Sequence, residues 1–140
     1  GGHITVDVEG PPCTCGSVGC LEALIGSGAF VADALARGST SADPEAIFAA
    51  AAAGDAAATA AVDRFTHVLS CGVVSLIHVY DPDVVVLGGG LSTSASVFVE
   101  RVQRFADEHA WTQPKGRVTV AVSELGDTAA LFGAAELAAA

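Results

Sequence analysis

Cys13, Cys15 and Cys20 lie in one short stretch, Cys13-Thr14-Cys15-Gly16-Ser17-Val18-Gly19-Cys20-Leu21-Glu22, and His3 stands ten residues before the first of them. Three thiolates and one imidazole are a tetrahedral ligand set suited to zinc. Cys13 and Cys15 are too close in the chain to join comfortably to each other, because a disulfide demands a particular Cβ separation and direction. A cation would hold all three sulfurs without that strain. Gly16 and Gly19 let the backbone turn tightly enough for the sulfurs to converge. Two other arrangements are open to the same residues: a loop of reduced thiols, or one disulfide plus a free thiol. Cys71 stands apart beside Gly72 on a helical stretch, as a small core residue would.

The 140 residues allow one domain at most, with enough chain for a real core. Much of the 51% hydrophobic content is alanine, which buries little area. A net charge of −10 with six basic residues argues against nucleic-acid binding by this segment, and equally against an anionic membrane surface. No apolar run approaches a membrane span, Asp55 interrupts the alanine tract, and the N-terminus lacks the features of a signal peptide. Clustered thiols at metal-ligand spacing suit a reducing cytoplasm better than a secreted scaffold.

Along the chain, His3 to Val8 alternates and is rich in β-branched residues, which predicts a strand ended by Gly10-Pro11-Pro12. After the cysteine loop, Glu22 to Ile25 reads as a helical turn and Ser27 to Arg37 as a helix stopped by Gly38. Asp43-Pro44-Glu45 opens another helix that ends at Gly54. Asp55 caps a long helix to Tyr80, with Val62, Phe65, Leu69, Val73, Leu76 and Tyr80 as its core stripe. Val84 to Leu87 reads as a strand buried on both faces, and Gly88 to Gly90 as the turn after it. A helix from Ser92 or Ser94 to His109, a strand over Val118 to Val122 and a helix over Thr128 to Ala139 capped by Asp127 complete an α/β order. No internal repeat is present.

Gly88-Gly89-Gly90 follows a strand and precedes a helix, where close backbone approach and a helix N-terminus favour an anion. The same glycines serve an ordinary turn equally well, and no Lys-Ser/Thr follows to make a Walker loop. Glu22 suits a helix N-terminus whatever else it does. His67 and His78 read as structural, His109 as complementing a helix end, and Trp111 supports no binding argument by itself.

The pattern Gly2-His3, Gly10-Pro11-Pro12 and Cys13-x-Cys15-Gly16-x-x-Gly19-Cys20-x-Glu22 resembles the ROK family of sugar kinases and sugar-responsive repressors. Weaker matches continue through Asp81-Pro82-Asp83-Val84-Val85-Val86-Leu87-Gly88-Gly89-Gly90 and Asp127-Thr128-Ala129-Ala130-Leu131-Phe132-Gly133-Ala134-Ala135. The resemblance implies part of the C-terminal lobe of an actin-like ATPase (ribonuclease H-like) fold with a zinc-binding loop. Its parts are a zinc loop over 3–22, a helical segment over 27–80 and a strand-helix-strand-helix unit over 84–139. It implies that His3, Cys13, Cys15 and Cys20 hold structural zinc. It also implies that His3 and Glu22 meet the hydroxyls of a hexose or amino sugar, and that Gly88 and Gly89 lie against the adenosine part of ATP, with Mg2+ accompanying the nucleotide. The family's phosphate loop and catalytic aspartate have no match among these residues and are expected upstream, as are the N-terminal lobe and the first strands of this lobe's sheet. The isolated chain is therefore expected to be inactive. Its His3 to Val8 strand should present an open edge to a second copy or a strand-completing partner, and homo-oligomers are common in the family. A kinase similar to glucokinase is the leading expectation. The sugar-sensing domain of a repressor and a non-catalytic zinc-binding remnant are the rivals.

Overall fold

The computed structural model describes residues 1–139. After the cysteine loop come α1 (Leu21–Ile25), α2 (Ser27–Ala36), α3 (Pro44–Ala52) and α4 (Ala56–Tyr80). Then follow β1 (Val84–Leu87), a 3₁₀ segment (Gly90–Val97), α5 (Val99–His109), β2 (Thr119–Val122), a 3₁₀ turn (Gly126–Thr128) and α6 (Ala129–Ala139). From α1 onward the expected α/β order is present.

The helix boundaries follow local chemistry. Asp43 accepts from the Ala46 N–H, with Pro44 in the first turn of α3, and Asp55 accepts from the Ala58 N–H at the start of α4. Each carboxylate satisfies a donor that the helix itself leaves unpaired. Gly38 and Gly54 follow helix ends with φ of 102° and 91°, a left-handed conformation that costs glycine little. The expected Asp127 cap involves a side chain outside the described residues.

The core forms around α4, which packs against α1, α2, α3 and α5. Phe30, Phe48, Phe65 and Phe98 make one aromatic cluster, with Phe30 stacked on Phe48 at 4.7 Å and Phe65 edge-on to Phe98 at 5.1 Å. Gly72 gives α1 its close seat: a Cβ there would lie 2.8 Å from a Leu21 methyl. β1 and β2 pair in parallel, Val84 opposite Thr119 and Leu87 opposite Val122, joined by the α5 crossover.

Four expectations need correction. His3 to Val8 is not a strand: it makes one isolated antiparallel bridge, Thr5 to Cys20, because it wraps the cysteine loop instead of lying along a neighbour. The open ladder edge expected of that strand is therefore absent. β1 is not buried on both faces; Val84 is 50% and Val86 60% exposed, since helices cover only one side of the pair. The α4 stripe runs out through Ile77, 1% exposed, while Tyr80 is 73% exposed, because the helical period carries Tyr80 past the end of the core. The helix expected from Ser92 or Ser94 is a 3₁₀ segment with a break at Ser94, and the α-helix begins only at Val99.

By length and composition α4 could cross a membrane, contrary to the reading of the bare sequence. Buried Val62, Phe65, Val73 and Ile77 face the other helices, and Asp63 and Arg64 interrupt it, as in a core helix.

Candidate metal centre and adjoining cleft

The cysteine loop is folded by its own backbone. Gly16 N–H donates to the Cys13 carbonyl at 3.0 Å, and Cys13 N–H to the Ser17 carbonyl at 2.8 Å, closing a turn in which Gly16 has φ 91°. Val6 and Asp7 both donate to the Gly19 carbonyl, at 2.9 and 3.2 Å, and Gly19 N–H donates to the Pro11 carbonyl at 2.8 Å. Gly19 has no room for a side chain: a Cβ there would lie 1.5 Å from the Asp7 carbonyl oxygen. Leu21 N–H to the Ile4 carbonyl, 2.9 Å, and Glu22 N–H to the Gly2 carbonyl, 2.7 Å, tie the start of α1 to the His3 segment.

These bonds bring together all four predicted ligands. One ligand atom from each of His3, Cys13, Cys15 and Cys20 lies within 4.8 Å of all the others. His3 Nδ1 is 3.5 Å from Cys13 Sγ, and Cys15 Sγ is 3.6 Å from Cys20 Sγ. A tetrahedral ion with sulfur at about 2.3 Å needs ligand atoms roughly 3.8 Å apart. All four cysteines are free thiols, so the arrangement with one disulfide is not the one adopted.

The electrostatics favour a cation. Cys13 is lowered from 9.0 to about 6, chiefly because the Cys15 backbone N–H donates to its sulfur, with a further contribution from His3. Cys20, completely buried, is pushed from 9.0 up to about 11 by burial, and its two thiol neighbours act in the same direction. Beside its thiol neighbours the Cys20 sulfur resists ionisation, and a divalent ion would remove that resistance. The donor set and spacing fit a tetrahedral metal.

A cleft of about 530 Å³ adjoins the loop, and Glu22, Ser27, Leu69, Gly88, Gly89 and Leu91 line it. Glu22 follows the last cysteine by two residues, and its exposed side chain reaches this cleft from α1. Gly88 and Gly89 reach it from the end of β1, where Gly89 has φ 95° and open space around its Cβ position. Glu22, Gly88 and Gly89 thus share one cavity although Glu22 is far from them in sequence. His3 stands with the sulfurs and is not among the residues lining the cleft.

Sequence reasoning missed Gly26 and Ser27. A Cβ at Gly26 would lie 2.4 Å from Glu22 Oε1, so this glycine makes room for the carboxylate. The signal was a glycine four residues after the glutamate, inside a helical pattern. Two of the other histidines bond to the backbone: His78 Nε2 accepts from the Trp111 N–H at 2.8 Å, and His109 Nδ1 lies 2.9 Å from the Phe105 carbonyl oxygen.

The ROK family model matches residues 1–140. The glucokinase of Thermotoga maritima is 30% identical over 97% of this chain and 47% of its own length. The xylose repressor of Caldicellulosiruptor bescii is 23% identical over 94% of this chain and 36% of its own. A ROK family glucokinase from Streptomyces griseus, solved with glucose and AMPPNP, superposes with a TM-score of 0.80 at 26% identity, over 97% of this chain and 49% of that one. The chain spans about half the length of these kinases. Cysteine loop, fold and matched length agree, and the chain belongs to the ROK family.

Proposed function

We propose that the chain is the zinc-stapled, sugar-holding part of a ROK sugar kinase similar to glucokinase, whose whole reaction moves the γ-phosphate of ATP to a hexose. The observation that carries this reading is the shared cleft. Glu22, held two residues from a metal ligand, faces the same space as the glycines that end β1. His3, Cys13, Cys15 and Cys20 hold zinc, which supplies a rigid tetrahedral clamp and no reaction chemistry. The clamp orients Glu22, whose carboxylate accepts hydrogen bonds from sugar hydroxyls. With His3 Nδ1 turned to Cys13, Nε2 is the ring nitrogen left for a further hydroxyl. Gly88 and Gly89 meet the adenosine part of ATP, with Mg2+ on its phosphates. Free thiols at ligand spacing favour a cytoplasmic setting.

Phosphoryl transfer depends on positioning the hydroxyl and the nucleotide together. The family's proton-accepting aspartate has no match among these residues, so the 140 residues alone are not expected to phosphorylate glucose. Turnover in a coupled assay, above that of a Cys13→Ala control, would overturn this statement.

The similarity to a xylose repressor supports a second reading, a sugar-sensing domain without nucleotide chemistry. Titration calorimetry with glucose, N-acetylmannosamine, xylose and AMPPNP separates the two. The kinase reading expects a sugar and AMPPNP both to bind, with Glu22→Ala weakening the sugar at least about tenfold by removing charged hydrogen bonds. Sugar binding without AMPPNP would favour the sensor. Zinc retention with neither ligand would leave a non-catalytic zinc-binding protein.

A further inference from the structure

The outer edge of β2 is covered by a side chain, not by a strand. Thr119 N–H donates to the Asp83 carbonyl at 2.9 Å and Ser123 N–H to the Leu87 carbonyl at 2.8 Å, so the odd-numbered residues of this segment face β1. The even-numbered ones, Val118 and Val120, turn their backbone groups the other way. Both residues are buried, 4% and 7% exposed, so those groups need partners within the protein. Gln103 of α5 supplies them. Its Oε1 accepts from the Val120 N–H at 2.6 Å, and its Nε2 donates to the Val118 carbonyl at 3.0 Å. Asp107, one turn later, accepts the second Nε2 hydrogen at 2.7 Å and sets the orientation of the amide.

The geometry of the acceptor and donor is informative. In a parallel sheet one residue donates to a carbonyl on its neighbour and accepts from the N–H two residues further on. The Gln103 carboxamide makes that same pair of bonds. We propose that Gln103 stands in for one residue of a third parallel strand and closes the β2 edge against strand addition. An unpaired edge next to an open groove would otherwise be a template for another chain. Such a groove, about 410 Å³ and lined by Val99, Glu100, Gln103, Arg104, Asp107 and Val120, runs beside this edge. β1 has no comparable cover on its far side among the described residues, so the two edges of the pair are not equivalent.

Residue-resolved hydrogen exchange tests this on the 140-residue chain. In the wild type the Val120 amide should be protected to a degree like that of Ala121, and independently of protein concentration. Fast exchange at Val120 in the wild type, or protection that appears only at high concentration, would overturn the proposal without any variant. Gln103→Leu retains the bulk of the side chain and removes both bonds. It should speed exchange at Val120 at dilute concentration by about tenfold or more, while Val73 in α4 stays protected as a folding control. At high concentration the variant should recover Val120 protection together with a rise in sedimenting mass, as copies pair edge to edge. A variant that stays folded with Val120 exchange unchanged, or that shows no mass increase over the wild type, would refute the role.

Discussion

Cys13 and Cys20 belong to one cluster yet titrate in opposite directions, and the contrast yields a pH prediction for the metal-free chain. The Cys13 pKa is depressed from 9.0 to about 6, so its contribution to stability is complete above pH 9 and is lost as pH falls toward 6. The Cys20 pKa is raised from 9.0 to about 11, so its contribution is complete below pH 9 and is lost as pH rises toward 11. Metal-free stability contributed by this pair should peak near pH 9, read as the urea midpoint across pH 6 to 11. At pH 7 a thiol-alkylating reagent should modify Cys13 well before Cys20, since only the thiolate reacts. Mass mapping showing the reverse order would contradict that assignment. Gly19 has no room for a side chain: Gly19→Ala drives a methyl into the Asp7 carbonyl and should cost at least about 3 kcal/mol, and on the proposed reading it should lower zinc uptake relative to the wild type, measured by elemental analysis.

At the scale of elements, the capped helices and the aromatic cluster carry the fold. Asp55→Ala leaves the first turn of α4 uncapped and should cost about 1 kcal/mol in denaturant titration. Phe48→Ala removes a ring, 2% exposed, that contacts Phe30, Phe65 and Phe98, and should cost about 3–5 kcal/mol. Both helices were legible because a cap and an apolar period are local patterns. The His3 to Val8 segment misled because alternation records which residues suit a strand, not whether a neighbour lies beside them. Its residues instead bond Gly19 and Leu21 across the cysteine loop. β1 misled in a related way. Val84-Val85-Val86-Leu87 is apolar throughout, but half of it faces away from the helices.

At the scale of the whole molecule, α1 joins the cysteine loop to the cleft: it begins at Leu21, directly after Cys20, and carries Glu22 into the cleft lining. On the proposed reading, in which the cluster holds zinc and Glu22 holds a sugar, chelation with a strong zinc ligand should lower the thermal midpoint and weaken sugar binding together, because Glu22 would lose the anchor at Cys20. Cys15→Ser should reproduce both effects in the presence of zinc, and sugar affinity that survives zinc removal unchanged would uncouple the two sites. Arg117 is a second long-range tie: its guanidinium bonds Asp83 at 2.8 Å and the Pro82 carbonyl at 3.3 Å, joining the approach to β2 to the turn before β1.

The sequence by itself determined the clustering of His3 with the three cysteines, the Asp43 and Asp55 caps and the strand-turn order around Gly88. Each depends on residues close enough in the chain to act on one another before the chain is packed. Only the tertiary structure decided that Glu22 and Gly88 share a cleft, that β1 keeps one face open, and that Gln103 completes the edge of β2. Those relations join residues whose meeting depends on how α1, α4 and α5 pack, and the side chains at either end carry no local record of the partner they will find.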